Sequence, residues 1–107
     1  MSLFAADSID ENVHGRVRLT VLIYLSTVAK ADFVVVRDAI GITDGTLSKH
    51  VKRLVEAGYV RSTKAIVDDR AKTSLSLTEQ GVGALAGYLA NLKSMMAVVP
   101  DPRKQAG

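Results

Sequence analysis

Hydrophobic positions in the first part of the chain repeat at helical spacing. Between Arg16 and Lys30 the apolar side chains cover most of a helical wheel, which predicts a central and largely buried helix. Asp32 is a typical N-cap and Gly41 a typical C-terminal glycine, so a second, shorter helix is predicted between them. The valines at 34–36 are also typical of a strand, and this alternative stays open.

A third helix follows with clear start and stop signals. Thr43 is a predicted N-cap, and Asp44 lies in the first turn, where the helix dipole favours negative charge. The apolar positions then recur at helical spacing until Gly58 ends the segment. They are Leu47, Val51, Leu54 and Val55. The pattern predicts a short amphipathic helix.

After Gly58 the hydrophobic pattern changes to a period of two. Strands are predicted at 59–66 and 73–77, which would pair as a hairpin. The residues between them, from Val67 to Lys72, are mostly charged and are predicted to form its connecting loop.

Thr78 is a predicted cap for a final helix that runs from Glu79 to about Val98. The expected fold class is therefore mainly α with a small β-hairpin, an α+β arrangement in the order helix, helix, helix, hairpin, helix. A chain of 107 residues is expected to form a single domain, 1–107.

The two short helices are joined by Gly41-Ile42-Thr43, a glycine-containing turn of the kind found in helix-turn-helix motifs. On a helical wheel, the third helix has its apolar positions on one side and a mostly polar face on the other. This outer face consists of Gly45, Lys49, Lys52, Arg53 and Glu56, flanked by the hydroxyls of Thr46 and Ser48. Such a face suits the phosphates and base edges of a DNA duplex, whereas a solvated charged face without a partner is the alternative.

The distribution of charge favours the DNA interpretation. The chain has fourteen basic and eleven acidic residues, a formal net charge of +3. Residues 43–72 contain seven basic and four acidic side chains, so this stretch accounts for the whole excess. Arg70 and Lys72 fall in the predicted hairpin loop. The side chains expected to neutralise DNA phosphates are Lys49, Lys52, Arg53, Arg70 and Lys72.

Two segments of the chain resemble a known family. Residues 42–60, ITDGTLSKHVKRLVEAGYV, look like the recognition helix of winged helix-turn-helix regulators of the MarR and ArsR kinds, and DDRAK followed by LTEQG resembles the MarR-type wing. The resemblance extends over roughly residues 9 to 97. It implies a winged helix fold in which Arg70 enters the minor groove. It also implies that the major groove is faced by Thr43, Asp44, Gly45, Thr46, Ser48, Lys49 and Lys52.

The final helix carries an apolar stripe whose members are spaced by alternating threes and fours, which is a heptad pattern. The stripe consists of Val82, Leu85, Leu89, Leu92, Met96 and Val99. It predicts that helix 79–98 is a dimerisation element, to which Leu3, Phe4 and Ile9 could contribute. The alternative is that the stripe packs on its own domain. A two-fold dimer would read a pseudo-palindromic operator.

Other classes of function find no support in the residues. The chain has no cysteine, its two histidines lack metal-ligand spacing, and no apolar run is long enough for a membrane span. We therefore expect a cytoplasmic protein that is not an enzyme and has no catalytic residues, cofactor, metal site or membrane association. The predicted function is a homodimeric repressor that binds double-stranded DNA. A protein-interaction module and a ligand-gated sensor are the alternatives, and the sequence identifies no small-molecule effector.

Overall fold

The computed structural model describes residues 6–101 and 103 of the chain. After a short 3-10 turn at Ala6–Ser8, the elements are α1 (Arg16–Ser26), β1 (Ala31–Asp32), α2 (Phe33–Ile40), α3 (Asp44–Glu56), β2 (Val60–Val67), β3 (Arg70–Leu77) and α4 (Glu79–Met96). The predicted fold class and the order helix, helix, helix, hairpin, helix are confirmed. The possible contributions of Leu3 and Phe4 to an interface lie outside the described residues.

The first helix ends four residues before the predicted end at Lys30. The hydroxyls of Ser26 and Thr27 donate to the carbonyls of Ile23 and Tyr24, which closes the last turn. The segment after it forms β1, which pairs antiparallel with β3 and gives a three-stranded sheet in the order β1-β3-β2. The prediction missed β1 because a two-residue strand has no hydrophobic alternation of its own.

The segment with three consecutive valines is helical, so the strand alternative is wrong. Gly41 ends α2 in the left-handed region, with a φ of 78°, and its amide donates to the carbonyl of Arg37. Within this helix Val36 is fully buried, whereas Val34 and Val35 face solvent. The third helix begins as predicted, since the Thr43 hydroxyl accepts a hydrogen bond from the amide of Thr46.

The hydrophobic core lies between the helices and one face of the sheet. Its buried members are Val13, Val21, Leu22, Leu25, Val36, Leu47, Val51, Leu54, Val60, Leu75, Leu85 and Tyr88. The buried side chains of α3 are Leu47, Val51 and Leu54, whereas Val55 of the predicted apolar face is 39% exposed. This packing leaves the side of α3 opposite the core free.

The hairpin is longer than predicted, and its loop is shorter. Strands β2 and β3 pair without a break from Val60–Leu77 to Val67–Arg70, so only Asp68 and Asp69 form the turn. Both aspartates have positive φ, 53° and 62°, which a two-residue turn of type I′ requires and which aspartate tolerates better than most residues. The prediction that Arg70 and Lys72 lie in a loop is therefore wrong, because both belong to β3.

The predicted stripe on α4 is divided between two environments. Leu85 is buried in the core of its own domain, and so is the neighbouring Tyr88, whose hydroxyl is 3.0 Å from Nδ1 of His14. The other stripe members are exposed, namely Val82, Leu89, Leu92, Met96 and, beyond the helix end, Val99. Leu85 is thus unavailable to a partner, because the first turns of α4 pack against the core. No helix in the described part of the chain has the length and hydropathy needed to cross a bilayer.

Candidate nucleic-acid interface

The side of α3 opposite the core forms an exposed polar surface. Gly45, Ser48, Lys49 and Lys52 are all exposed, and an added methyl group at Gly45 would meet no atom within 4 Å. No side chain therefore projects from the surface at Gly45, and Lys49, one turn later, makes it positively charged. A DNA backbone or base edge can approach this end of the helix closely.

Two hydroxyl groups at the start of α3 have different roles: that of Thr43 caps the helix, and that of Thr46 can donate to a ligand. The hydroxyl of Thr43 donates its only proton to the Thr46 hydroxyl, at 2.9 Å, and accepts from the Thr46 amide, at 3.2 Å. Thr43 is thus fully engaged as the cap. The Thr46 hydroxyl keeps its own proton and is the one of the two that can donate to an outside acceptor.

Asp44, at the start of α3, is paired with a cation that sequence reasoning missed. Its carboxylate accepts from the guanidinium of Arg37 at 2.8 Å, and Asp38 pairs with the same guanidinium at 2.9 Å. Hydrogen bonds from these two carboxylates, that of Asp38 first, raise the pKa of Arg37 above its ordinary value. The pairing partly neutralises Asp44, which reduces its repulsion of a phosphate. The only sequence signal for Arg37 was its place in the last turn of α2.

A groove lies between α3 and the hairpin, with a volume of about 530 Å³. We call it the α3–hairpin groove, and its lining residues are Phe33, Ser48, Val51, Lys52, Val55, Glu56, Ser62, Lys64 and Thr73. The helix contributes Lys52 to this lining, and the sheet contributes Lys64. Lys64 is one of the seven basic residues of 43–72, but it was not among the predicted site residues.

The two basic residues of β3 in the predicted site leave the sheet from the opposite face. Side chains alternate along a strand, so Arg70 and Lys72 share a face that excludes Lys64 and its partner Thr73. The ammonium group of Lys72 lies 3.9 Å from the carboxylate of Asp32. Arg70 sits beside the turn and is exposed; within the described residues no ion pair joins it to either aspartate of that turn.

Arg53 points away from the α3–hairpin groove. Its guanidinium donates to the side-chain oxygen of Asn12 at 3.2 Å and to the backbone oxygen of Glu11 at 3.4 Å. The structure therefore brings Ser48, Lys49 and Lys52 together on one face but directs Arg53 toward the N-terminal segment. Helix periodicity could not indicate this, because the partners lie about forty residues away in sequence.

His50 lies beside Arg53 and joins α3 to α1. Its Nδ1 accepts a hydrogen bond from the guanidinium of Arg18 at 3.1 Å, and since a guanidinium only donates, this nitrogen is unprotonated. Burial lowers the pKa of His50 below its ordinary value, and the nearby charges of Arg18, Lys49 and Arg53 lower it further. His50 is therefore neutral at pH 7 and serves as a packing and hydrogen-bonding residue.

The depressed pKa of His50 predicts a loss of stability in acid. The unfolded chain takes up a proton near pH 6.5 and the folded chain only at lower pH, so this contribution is complete above about pH 6.5 and declines below it. The variant His50→Gln, which keeps an acceptor for Arg18 but does not titrate, should show a smaller decline. Urea unfolding midpoints between about pH 5 and pH 7.5 measure the difference. Equal declines in the two proteins would contradict the prediction.

Comparison with known proteins identifies the fold family. A family model for a winged helix DNA-binding domain matches residues 17–96, which include the sheet and, apart from Arg16, all four helices. The chain belongs to this family. In winged helix terms, α3 is the recognition helix and the β2–β3 hairpin is the wing.

Individual proteins are also similar to this chain. An uncharacterized protein of Methanocaldococcus jannaschii is 32% identical over 73 residues, which are 68% of this chain and 79% of that protein. A transcriptional regulator homologue from Pyrococcus horikoshii OT3 is 28% identical with a TM-score of 0.78, covering 82% of this chain and 87% of the other. The zinc-responsive MarR family member ZitR of Lactococcus lactis is 16% identical with a TM-score of 0.61, covering 91% and 62%, a likeness in fold alone. The resemblance predicted from residues 42–81 is confirmed.

Proposed function

We propose that this winged helix protein is a transcriptional regulator that binds double-stranded DNA in a sequence-specific manner, as a homodimeric repressor on a pseudo-palindromic operator. The observation that carries the proposal is the exposed cationic face of α3. The opposite face of this helix is buried in the core of a domain that matches a winged helix DNA-binding family. The Pyrococcus protein, which is a transcriptional regulator homologue by name, supports the regulatory role. Chain 1–107 is proposed to act as one DNA-binding domain.

Different residues of the interface have different proposed roles. Lys49 and Lys52 neutralise phosphates, which releases counterions and makes the affinity dependent on salt. Thr46 and Ser48 donate to base edges or phosphates at the N-terminal end of the helix, where Gly45 permits close approach. Arg70, next to the turn of the wing, is proposed to reach the minor groove.

The remaining residues of the predicted set support the interface indirectly. Thr43 caps α3, and Asp44 aligns Arg37 beside the same helix end. Arg53 holds the N-terminal segment, so it is not included among the proposed phosphate contacts. Lys72 is also left out, since its ammonium group lies near Asp32 on the far face of the sheet.

The proposed dimer forms through the exposed part of the α4 stripe. Val82, Leu89 and Met96 are 54%, 41% and 62% exposed, and they lie along one side of the helix. Large apolar side chains aligned in this way favour burial against a second copy, because each removes apolar area from water. A two-fold pair would place two recognition helices about 34–36 Å apart, one turn of B-DNA.

We propose repression of transcription because it requires only that the dimer occupies its operator. A dimer bound to an operator that overlaps a promoter excludes polymerase sterically, without any contact to the enzyme. The measurement that bears on this step is a reporter gene placed behind the bound operator, whose expression should rise when the protein is removed. A fall in expression would indicate an activator.

Changing Lys49 to alanine should weaken DNA binding without unfolding the protein. Lys49 is exposed on the outer face of α3, so the loss removes one phosphate contact and little packing. We expect the slope of log K against log salt to fall by about 0.9 and the affinity to fall several-fold at about 0.1 M salt. Gel-shift titration on a duplex selected from a random DNA pool measures both quantities.

The matched control is Lys93→Ala, which removes the same charge from an exposed position on α4. It should leave binding close to that of the unmodified protein. If Lys49→Ala binds as well as Lys93→Ala, the recognition face is wrongly assigned. If the unmodified protein selects no duplex, the chain is a winged helix used for protein association instead.

A further inference from the structure

The N-terminal segment, residues 8–14, is hydrogen-bonded to side chains of α1, α3 and α4. We propose that this segment positions the recognition helix, and that the contact between Asn12 and Arg53 sets the rotation of α3 about its own axis. The inference rests on the proposed DNA binding and adds to it two positioning residues that do not touch DNA. Arg53 then contributes to recognition of the operator without contacting a phosphate.

The segment is a compact turn that can serve as a fixed support. The amides of Val13 and His14 donate to the carbonyl of Asp10, at 3.1 and 2.8 Å, and the Asn12 amide donates to the Asp10 carboxylate at 2.8 Å. The Tyr59 hydroxyl, just before β2, donates to the same carboxylate. Because Val13 is also fully buried in the core, the turn is anchored on more than one side.

The helix α4 holds the same turn through two side chains. The Asn91 amide group donates to the carbonyl of Ser8 at 3.0 Å. The hydroxyl of Tyr88, a core residue, lies 3.0 Å from Nδ1 of His14. The segment therefore relates α3 to α4, which carries the apolar stripe of the proposed dimer.

The contact with α3 is made by directional hydrogen bonds. The guanidinium of Arg53 donates to the Asn12 side-chain oxygen at 3.2 Å and to the Glu11 carbonyl at 3.4 Å. The same carbonyl accepts from the guanidinium of Arg18, on α1, at 3.1 Å. Hydrogen bonds weaken steeply away from linear geometry, so these bonds restrain the direction of Arg53 and, through it, the rotation of α3.

Rotation of α3 affects base contacts more than phosphate contacts. Its buried face consists of Leu47, Val51 and Leu54, whose apolar packing has no directional bonds. A rotation of about 10° moves a side-chain tip at a radius of about 6 Å by about 1 Å. That shift impairs a hydrogen bond to a base edge, whereas attraction to a phosphate falls only gradually with distance. Losing the Arg53 contact should therefore reduce selectivity for the operator and leave the salt dependence intact.

Two variants of Asn12 form a matched pair that tests the proposal. Asn12→Leu has a similar volume and no acceptor, whereas Asn12→Asp keeps an acceptor for Arg53. We expect Asn12→Leu to lower the ratio of operator affinity to random-duplex affinity about fivefold or more, the effect of impairing one base contact, with an unchanged salt slope. Asn12→Asp should retain the ratio. Gel-shift titrations on the selected operator and on a random duplex measure it.

The variant Arg53→Gln tests the same contact from α3. It should lower the ratio with an unchanged salt slope, and combining it with Asn12→Leu should lower the ratio no further, because both changes break one contact. A slope reduced by about 0.9 would show that Arg53 contacts a phosphate and would overturn the inference. Arg53 is exposed, so this variant should fold even if Asn12→Leu does not.

The outcomes distinguish this inference from the proposed function. If Asn12→Leu and Arg53→Gln keep the ratio while Lys49→Ala binds weakly, the positioning role is wrong and DNA binding by α3 stands. If Asn12→Asp loses the ratio as fully as Asn12→Leu, the acceptor for Arg53 is not what matters, and the inference also fails. If the unmodified protein prefers no duplex over random DNA, the proposed function itself is wrong.

Discussion

Replacing Gly81 with alanine is expected to destabilise the protein by about 3 kcal/mol, the upper end of the usual range for overpacking a closed site. A methyl group at Gly81 would lie 2.2 Å from the backbone oxygen of Tyr59 and 2.8 Å from Cδ1 of Leu77. A side chain can rotate away from such an overlap, but the carbonyl of Tyr59 moves only with the backbone that leads into β2. The first turn of α4 must therefore separate from the start of β2.

The hydrogen bonds around Gly81 explain why this separation is costly. The Thr78 amide donates to the carbonyl of Tyr59 at 3.0 Å, and the Thr78 hydroxyl donates to the carbonyl of Gly58 at 2.6 Å. The Gly81 amide in turn donates to the Thr78 hydroxyl, at 2.9 Å. Displacing the helix breaks contacts that satisfy several partly buried polar groups at once, each of which has a desolvation cost.

Thermal unfolding measures the effect, since about 3 kcal/mol should lower the melting temperature by more than about 10 °C in a domain of this size. Gly83→Ala is the matched control, because no atom lies within 4 Å of a methyl group added at Gly83. Alanine is the better helix former, so this control should gain about 0.5–1 kcal/mol. Equal stability of the two variants would show that α4 does not pack closely on Tyr59.

Local signals in the sequence were sufficient for the helix ends that capping determines. Thr43 and Thr78 cap the helices that follow them, and Gly41 ends α2, because each of these roles depends on a few neighbouring residues. The core face of α3 was also predictable, since Leu47, Val51 and Leu54 repeat at helical spacing. The outer, polar side of α3 followed from the same periodicity.

Contacts between distant segments were not predictable in this way. The strand β1 exists because β3 offers it an edge, and that edge is about forty residues away. The direction of Arg53 depends on Asn12, and the groove position of Lys64 depends on the register between β2 and β3. A single sequence shows which residues are basic, but the tertiary fold decides which of them face the same groove.

The α4 helix connects the wing to the proposed dimer. Its N-terminal turn is fixed to the start of β2 by Thr78 and Gly81, and its exposed stripe begins in the same turn at Val82. The orientation of the stripe relative to the wing is therefore set within one domain. In a symmetric pair this geometry would fix the separation of the two recognition helices, which a palindromic operator must match.

The variant Leu89→Glu should convert the proposed dimer to a monomer and reduce operator affinity by about 100-fold or more. Leu89 lies in the middle of the exposed stripe, so pairing would bury a carboxylate without a partner. The affinity falls because two linked half-sites increase binding by about 10²- to 10⁴-fold over one. Sedimentation analysis measures the mass, and gel-shift titration on the selected operator measures the affinity.

Ser94→Glu is the matched control, because it adds the same charge to the same helix at an exposed position off the stripe. It should remain a dimer with nearly unchanged affinity for the operator. Because Leu89 is 41% exposed, the Leu89→Glu protein should remain a folded monomer with α4 intact. Circular dichroism can verify that its helices persist. If a folded Leu89→Glu protein still sediments as a dimer, the dimer interface lies elsewhere. The affinity for the operator would then not depend on this face of α4.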